Sequence, residues 1–291
     1  MEPTKRIIDE PVSLIRAAAR QSMRERMGLL IASAAIYMLC LNLPVIIVEQ
    51  ITGFWGNMER AMDDYAALIS NPTISAINEW ALAYSDKLNV SFATYLFLLL
   101  VPGPLTLGLS VIWLRVLRGK EAWADMVFSG FGNFARAVLL WFVRAVFIAL
   151  WSILLLVPGI IAYYRYSLAI FLLADNPAMP PFQALALSTY YMRQNKGSRF
   201  ALDLSFLGWL VFTGFVLVGI NSGAVFLLEN AGVKPTLFVQ ELVSCICGAF
   251  LFAPVYAYRG IAAAEYYHRV ICRDPNSFPD TEKPALPKPQ K

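Results

Sequence analysis

The sequence predicts an all-α fold: a polytopic transmembrane helical bundle of six crossings, with an amphipathic N-terminal helix and a helical extracytoplasmic loop. Three observations predict it. Of 291 residues, 58% are hydrophobic and 15% charged, against about 45 to 50% and roughly 25% in a soluble domain. Several apolar windows approach the ~20 residues needed to cross a hydrocarbon core of about 30 Å, where only a helix satisfies its own backbone. Lysine and arginine flank those windows, where they set orientation, so the net charge of +4 does not imply a nucleic-acid partner.

Residues 11–26 set Arg16, Arg20 and Arg24 against Val12, Ile15, Ala19 and Met23 at helical spacing, as in a helix on the inner leaflet. The first crossing is expected at 27–48. The hydrophilic segment 49–91 carries Glu49, Glu59, Asp63, Asp64, Glu79 and Asp86 against Arg60 and Lys87, which places it outside. Trp55, Met58, Met62, Tyr65, Leu68 and Ile69 give it a helical period, with a break at Asn71-Pro72.

The second crossing, 92–114, contains Pro102-Gly103-Pro104 and is expected to be broken at depth, because an interior proline removes a hydrogen bond. Residues 115–136 form a cytoplasmic link bracketed by Arg115, Arg118, Lys120 and Arg136. The third crossing, 137–157, is expected to turn back at Pro158-Gly159. The fourth, 160–174, is short for a crossing, about 22 Å at the helical rise. It is still required, because Arg193, Lys196 and Arg199 in the link 175–199 must lie inside. Crossings at 200–228 and 236–266 follow, the last with a kink at Pro254, then a proline-rich disordered tail, 274–291. Residues 1–273 make one transmembrane domain, both termini cytoplasmic. The run Leu-Leu-Leu-Val-Pro-Gly occurs at 98–103 and again at 154–159.

Ionisable residues at membrane depth cost about 2.5 to 3.5 kcal/mol each and tend to pair. Four stand out, and matched depths predict two ion pairs, Arg144 with Asp203 and Arg165 with Glu241. A substrate or ion path would use Arg165, Glu241, Pro102 and Pro104. Cys40, Cys245, Cys247 and Cys272 lack the spacing of a redox or zinc motif. With the single His268, the chain offers neither a triad nor a metal set, so no cofactor, no metal and no catalytic residue is expected.

The central block resembles a known family. The residues that carry the resemblance are Phe128-Ser129-Gly130-Phe131, Trp151-Ser152-Ile153-Leu154, Pro158-Gly159-Ile160, Tyr166-Ser167, Leu173-Ala174-Asp175-Asn176-Pro177, Ser188, Asn195-Lys196 and Leu204-Ser205-Phe206-Leu207-Gly208-Trp209. With Pro104, Gly108, Pro254, Tyr256, Glu265, Tyr266 and Tyr267 they are similar to the DUF975 family of uncharacterised bacterial integral membrane proteins. The resemblance implies a multi-pass protein of a bacterial cell membrane, and it assigns no catalytic residue. Two functions are expected to compete: a non-enzymatic scaffold or accessory of other membrane components, with the lipid bilayer as its surroundings, and a small-molecule or ion transporter using the broken second helix and Arg165.

Overall fold

The computed structural model describes residues 7–70 and 72–271, and among them every regular element is helical. Six stretches are long and apolar enough to cross a membrane: Met27–Ile51, Phe92–Leu117, Ala124–Leu154, Leu156–Asp175, Lys196–Asn230 and Leu237–Ile271. Asn71, Cys272 and the expected tail 274–291 lie outside the described residues. Contacts divide the chain into two compact units. One contains the described residues up to Tyr37, Val101–Val211 and those from Phe252 on; the other contains Met38–Leu100 and Phe212–Leu251.

In the first unit, α1 (Val12–Arg24) buries Ile15, Ala19 and Met23, the apolar face expected of it. The guanidinium of Arg16 lies over the rings of Phe206 and Tyr258, at 5.3 and 5.8 Å. The apolar stripe of α1 is thus used within the protein. From α2 (Met27–Ile51) this unit takes the residues up to Tyr37, whose ring stacks on Tyr256.

The second crossing is broken, as expected. Its first part, α3 (Phe92–Leu100), belongs to the other unit; α4 (Pro102–Leu117) starts afresh. Pro102 and Pro104 stand in the first turn of α4, where a missing N–H leaves nothing unsatisfied. The stretch expected as an exposed cytoplasmic loop is a 3-10 segment, Ala124–Asn133, packed back along α4 with Val127 fully buried. Two glycines permit this: a Cβ on Gly108 would fall 2.0 Å from the Val127 carbonyl oxygen, and one on Gly130 would fall 2.0 Å from that of Pro104.

Next come α5 (Phe134–Leu154) and α6 (Leu156–Arg165), separated only by Leu155 in an extended conformation. The chain therefore turns back at Leu155, and not at Pro158-Gly159. Pro158 sits in the first turn of α6, where proline is tolerated, so it belongs to the start of the returning helix and does not end the outgoing one. The shift removes the length problem, because the returning stretch is Leu156–Asp175, 20 residues. It comprises α6 and α7 (Ala169–Asp175). Both copies of Leu-Leu-Leu-Val-Pro-Gly mark a helix break, at Val101 and at Leu155. The tip from Ile153 to Val157 is apolar and exposed, as suits contact with lipid.

The link that follows contains α8 (Pro181–Tyr191). Its start is fixed by Asp175, which takes both guanidinium nitrogens of Arg118 at 2.5 and 2.7 Å and the hydroxyl of Tyr267 at 2.8 Å. Arg136 donates to the Pro177 carbonyl at 2.8 Å. The Asp-Asn-Pro turn is thereby a clamp on three helices. Two long helices, α9 (Lys196–Asn230) and α10 (Leu237–Ile271), complete the described chain, and each contributes to both units.

The second unit contains the expected outer segment as a helical hairpin, α11 (Phe54–Ile69) and α12 (Ile74–Tyr84). Trp80 donates to the Ala61 carbonyl at 2.9 Å and packs on Tyr65. Met58, Met62, Tyr65, Ile69 and Trp80 line an apolar groove of about 400 Å³. Glu49, counted above with the acids of the outer segment, is only 3% exposed and belongs to α2. It accepts from the Thr94 hydroxyl, from the Ser91 N–H at 3.1 Å and from the Thr52 hydroxyl at 3.4 Å. Those donors allow the carboxylate to be buried.

The Tyr84 hydroxyl donates to Asp64 at 2.5 Å, and this bond holds the phenol above its ordinary value of 10.0. Deprotonation would set a tyrosinate against a carboxylate. The bond's stabilisation is therefore fully present below the ordinary tyrosine value and is lost as pH rises through the higher folded one. In an ultraviolet difference titration against Tyr84→Phe, the Tyr84 signal should move to lower pH in Asp64→Asn. An unchanged titration would show that Asp64 does not govern it.

Candidate functional site

The polar groups of the first unit converge on Asp203, in the second turn of α9. Its side chain is 10% exposed and receives Arg259 Nε of α10 at 3.0 Å and, one turn back on α9, an Arg199 terminal nitrogen at 3.6 Å. Helical spacing places Arg199 and Asp203 on one face, four residues apart. Arg259 reaches further, donating to the Tyr163 hydroxyl of α6 at 3.3 Å. Over the ring of Tyr163, 5.3 Å from its centre, stands the guanidinium of Arg144 on α5. Tyr163 and Asp203 are thus two posts shared by three arginines, and four helices meet there.

Arg199 is also backed by Tyr266, whose ring lies 5.6 Å from its guanidinium carbon. Tyr266 is fully buried, and its hydroxyl donates to the Asn195 carbonyl at 2.6 Å. That carbonyl precedes α9, so the start of the helix and the ring under Arg199 are fixed together. Among the described residues, nothing hydrogen-bonds Nε or Nη1 of Arg199 or Oδ2 of Asp203, all of them buried.

One of the two expected ion pairs is corrected. Asp203 pairs with Arg259 and Arg199, not with Arg144, which faces the Tyr163 ring. Depth matching compared only four charges, and Arg259 on the returning helix stands nearer to Asp203. Arg165 sits 5.9 Å over the Trp151 ring, within the α5–α6 hairpin, and Glu241 lies on α10, in the part that belongs to the second unit. An arginine on an aromatic face keeps its charge near the hairpin surface while its stem covers apolar atoms.

Pro102 and Pro104 are both buried, and the space beside them is occupied by backbone. A Cβ on Gly103 between them would lie 2.7 Å from the Ala137 carbonyl oxygen. Glu265 binds Arg269 at 2.9 Å, and Arg269 also pairs with Glu10.

Sequence reasoning missed Arg199 and Arg259. Arg199 served only as a marker of the cytoplasmic side, and Arg259 was passed over within the last crossing. The available signal was the i, i+4 spacing of Arg199 and Asp203.

Residues 153–274 match the DUF975 family, described as a protein of unknown function. No curated protein and no solved structure matches the chain.

Proposed function

We propose that this multi-pass membrane protein, whose residues 153–274 match the DUF975 family, is a non-enzymatic scaffold or accessory of other membrane components. One observation carries the reading: the helix break that a transporter would use as its site is filled. At Pro102-Gly103-Pro104 the backbone of α5 and of the 3-10 segment approaches so closely that even a methyl group at Gly103 or Gly130 would collide with a carbonyl oxygen. In transporters, broken helices expose backbone groups to a cavity; here the break is a packing device.

A further observation supports it. Arg165 is held on Trp151 in the hairpin, away from the break. We place the chain in a bacterial cell membrane with both termini cytoplasmic, since Arg16, Arg20, Arg24 and Arg26 precede the first crossing and Arg269 ends the last.

Cysteine accessibility tests the reading. In a background with the four native cysteines replaced by serine, Leu105→Cys and Ala137→Cys should stay unmodified by a charged methanethiosulfonate reagent added from either side. Modification of either residue in the folded protein would reveal a water path at the break and overturn the scaffold assignment. As a companion, Arg165→Gln should lower only abundance or thermal stability.

A further inference from the structure

The arginines around Asp203 carry more charge than the described residues neutralise. Arg144, Arg199 and Arg259 bring three positive charges, and among the described residues the cluster contains one carboxylate. Asp203 balances one of them. Of the rest, Arg144 has the face of Tyr163 and Arg199 that of Tyr266. A ring attracts a cation but brings no negative charge to cancel it.

Arg199 is the informative member, because its side chain is only 8% exposed and two of its three nitrogens lack a partner among the described residues. A buried guanidinium in that condition is costly unless a group of opposite charge completes it. Water could accept its hydrogen bonds but would leave the charge in place. The missing group is therefore an anion with oxygens to accept from more than one guanidinium, which is the recognition chemistry of phosphate.

Asp203 narrows the class. Its Oδ2 is buried with no donor among the described residues, while Oδ1 is engaged by both arginines. A plain inorganic anion would set its own charge against that oxygen. A ligand that pairs phosphate with a hydroxyl satisfies both: phosphate oxygens on the arginines and the hydroxyl on Oδ2.

The position fits a headgroup. Arg199 and Asp203 are the fourth and eighth residues of α9, so they lie about 5 and 11 Å from its start at the helical rise. The cluster is open on one side, with the Arg259 side chain 29% exposed.

We propose that Arg144, Arg199 and Arg259, with Asp203, form a site for a hydroxyl-bearing phosphate ester, either the headgroup of an anionic glycerophospholipid such as phosphatidylglycerol or a free glycerol phosphate. The site goes beyond the scaffold reading and would survive its failure, since a transporter could contain it equally.

The test uses the full chain in nanodiscs of phosphatidylcholine alone, of phosphatidylcholine with phosphatidylglycerol, and of phosphatidylcholine with added glycerol 3-phosphate. Thermal stability is followed in each, and native mass spectrometry counts the lipid retained. Phosphatidylglycerol should raise the melting temperature and remain bound, and Arg199→Gln should weaken its binding about tenfold or more. Arg144→Gln, which leaves both ion pairs of Asp203 in place, should weaken binding in the same direction. Arg136→Gln, outside the cluster, should leave it unchanged. A full stabilisation by glycerol 3-phosphate without phosphatidylglycerol would uphold the site and assign it to the free ester. Equal retention and equal stabilisation in Arg144→Gln and the wild type, or the same gain from phosphatidylcholine alone, would overturn the proposal.

Discussion

Replacing Gly108 by alanine should cost at least about 3 kcal/mol, enough to remove most of the folded protein from a detergent extract. The added Cβ would stand 2.0 Å from the Val127 carbonyl oxygen, 2.6 Å from its carbon and 2.8 Å from the Met126 oxygen. All three are backbone atoms, so no side chain can rotate away. Relief requires the 3-10 segment to leave α4, and with it goes the burial of Val127.

Gly132→Ala is the internal control. It lies in the same 3-10 segment but has nothing within 4 Å of the added atom, so its melting temperature should stay near that of the wild type. Fluorescence-detected gel filtration after heating compares the two. If Gly108→Ala melts with Gly132→Ala, the segment is not packed on α4 as described.

How far the sequence could be read depends on which interactions fix each part. Long apolar windows bounded by basic residues need no partner to be recognised, so the stretches later seen as Met27–Ile51, Lys196–Asn230 and Leu237–Ile271 were legible. The break at Pro102 was legible too, because proline acts through its own ring and its missing N–H. Its consequence was not. Whether a broken helix opens a cavity or admits a neighbouring backbone is decided by Gly103, Gly108 and Gly130 together with segments 18 or more residues away. Pro158 misled for a related reason: the same ring ends one helix or opens another, and only the extended Leu155 decides between them. The burial of Glu49 was not legible, because its donors Ser91 and Thr94 lie more than 40 positions on.

At the candidate site, residue types were legible and pairings were not. Asp203 and Arg144 were identified as membrane-depth charges by composition alone. The choice of partner depends on how α9 and α10 are rotated about their axes, which sets Arg259 at 3.0 Å from Asp203 and Arg144 on Tyr163. Depth along a helix carries no information about that rotation.

That rotation makes Asp203→Asn the second substitution with a large expected effect. The amide keeps the volume of the carboxylate but removes the only negative charge among the described residues in contact with Arg199 and Arg259. Removing one partner from a buried ion pair typically costs 3 to 5 kcal/mol, because the remaining charge stays buried. Here the lower end applies, about 3 kcal/mol, since the Arg259 side chain is 29% exposed and partly solvated. For a chain of this size that corresponds to a fall in melting temperature on the order of 6 to 12 °C. Arg259→Gln alone should cost less, because Asp203 would keep Arg199 as a partner. Adding Arg259→Gln to Asp203→Asn should recover part of the loss, with a coupling of about 0.5 to 3 kcal/mol in the double-mutant cycle. Strictly additive losses would mean that the two side chains do not share their charge. In that event Asp203 would not be the hub on which the arginines are balanced, and its mutation would report only on the first turns of α9.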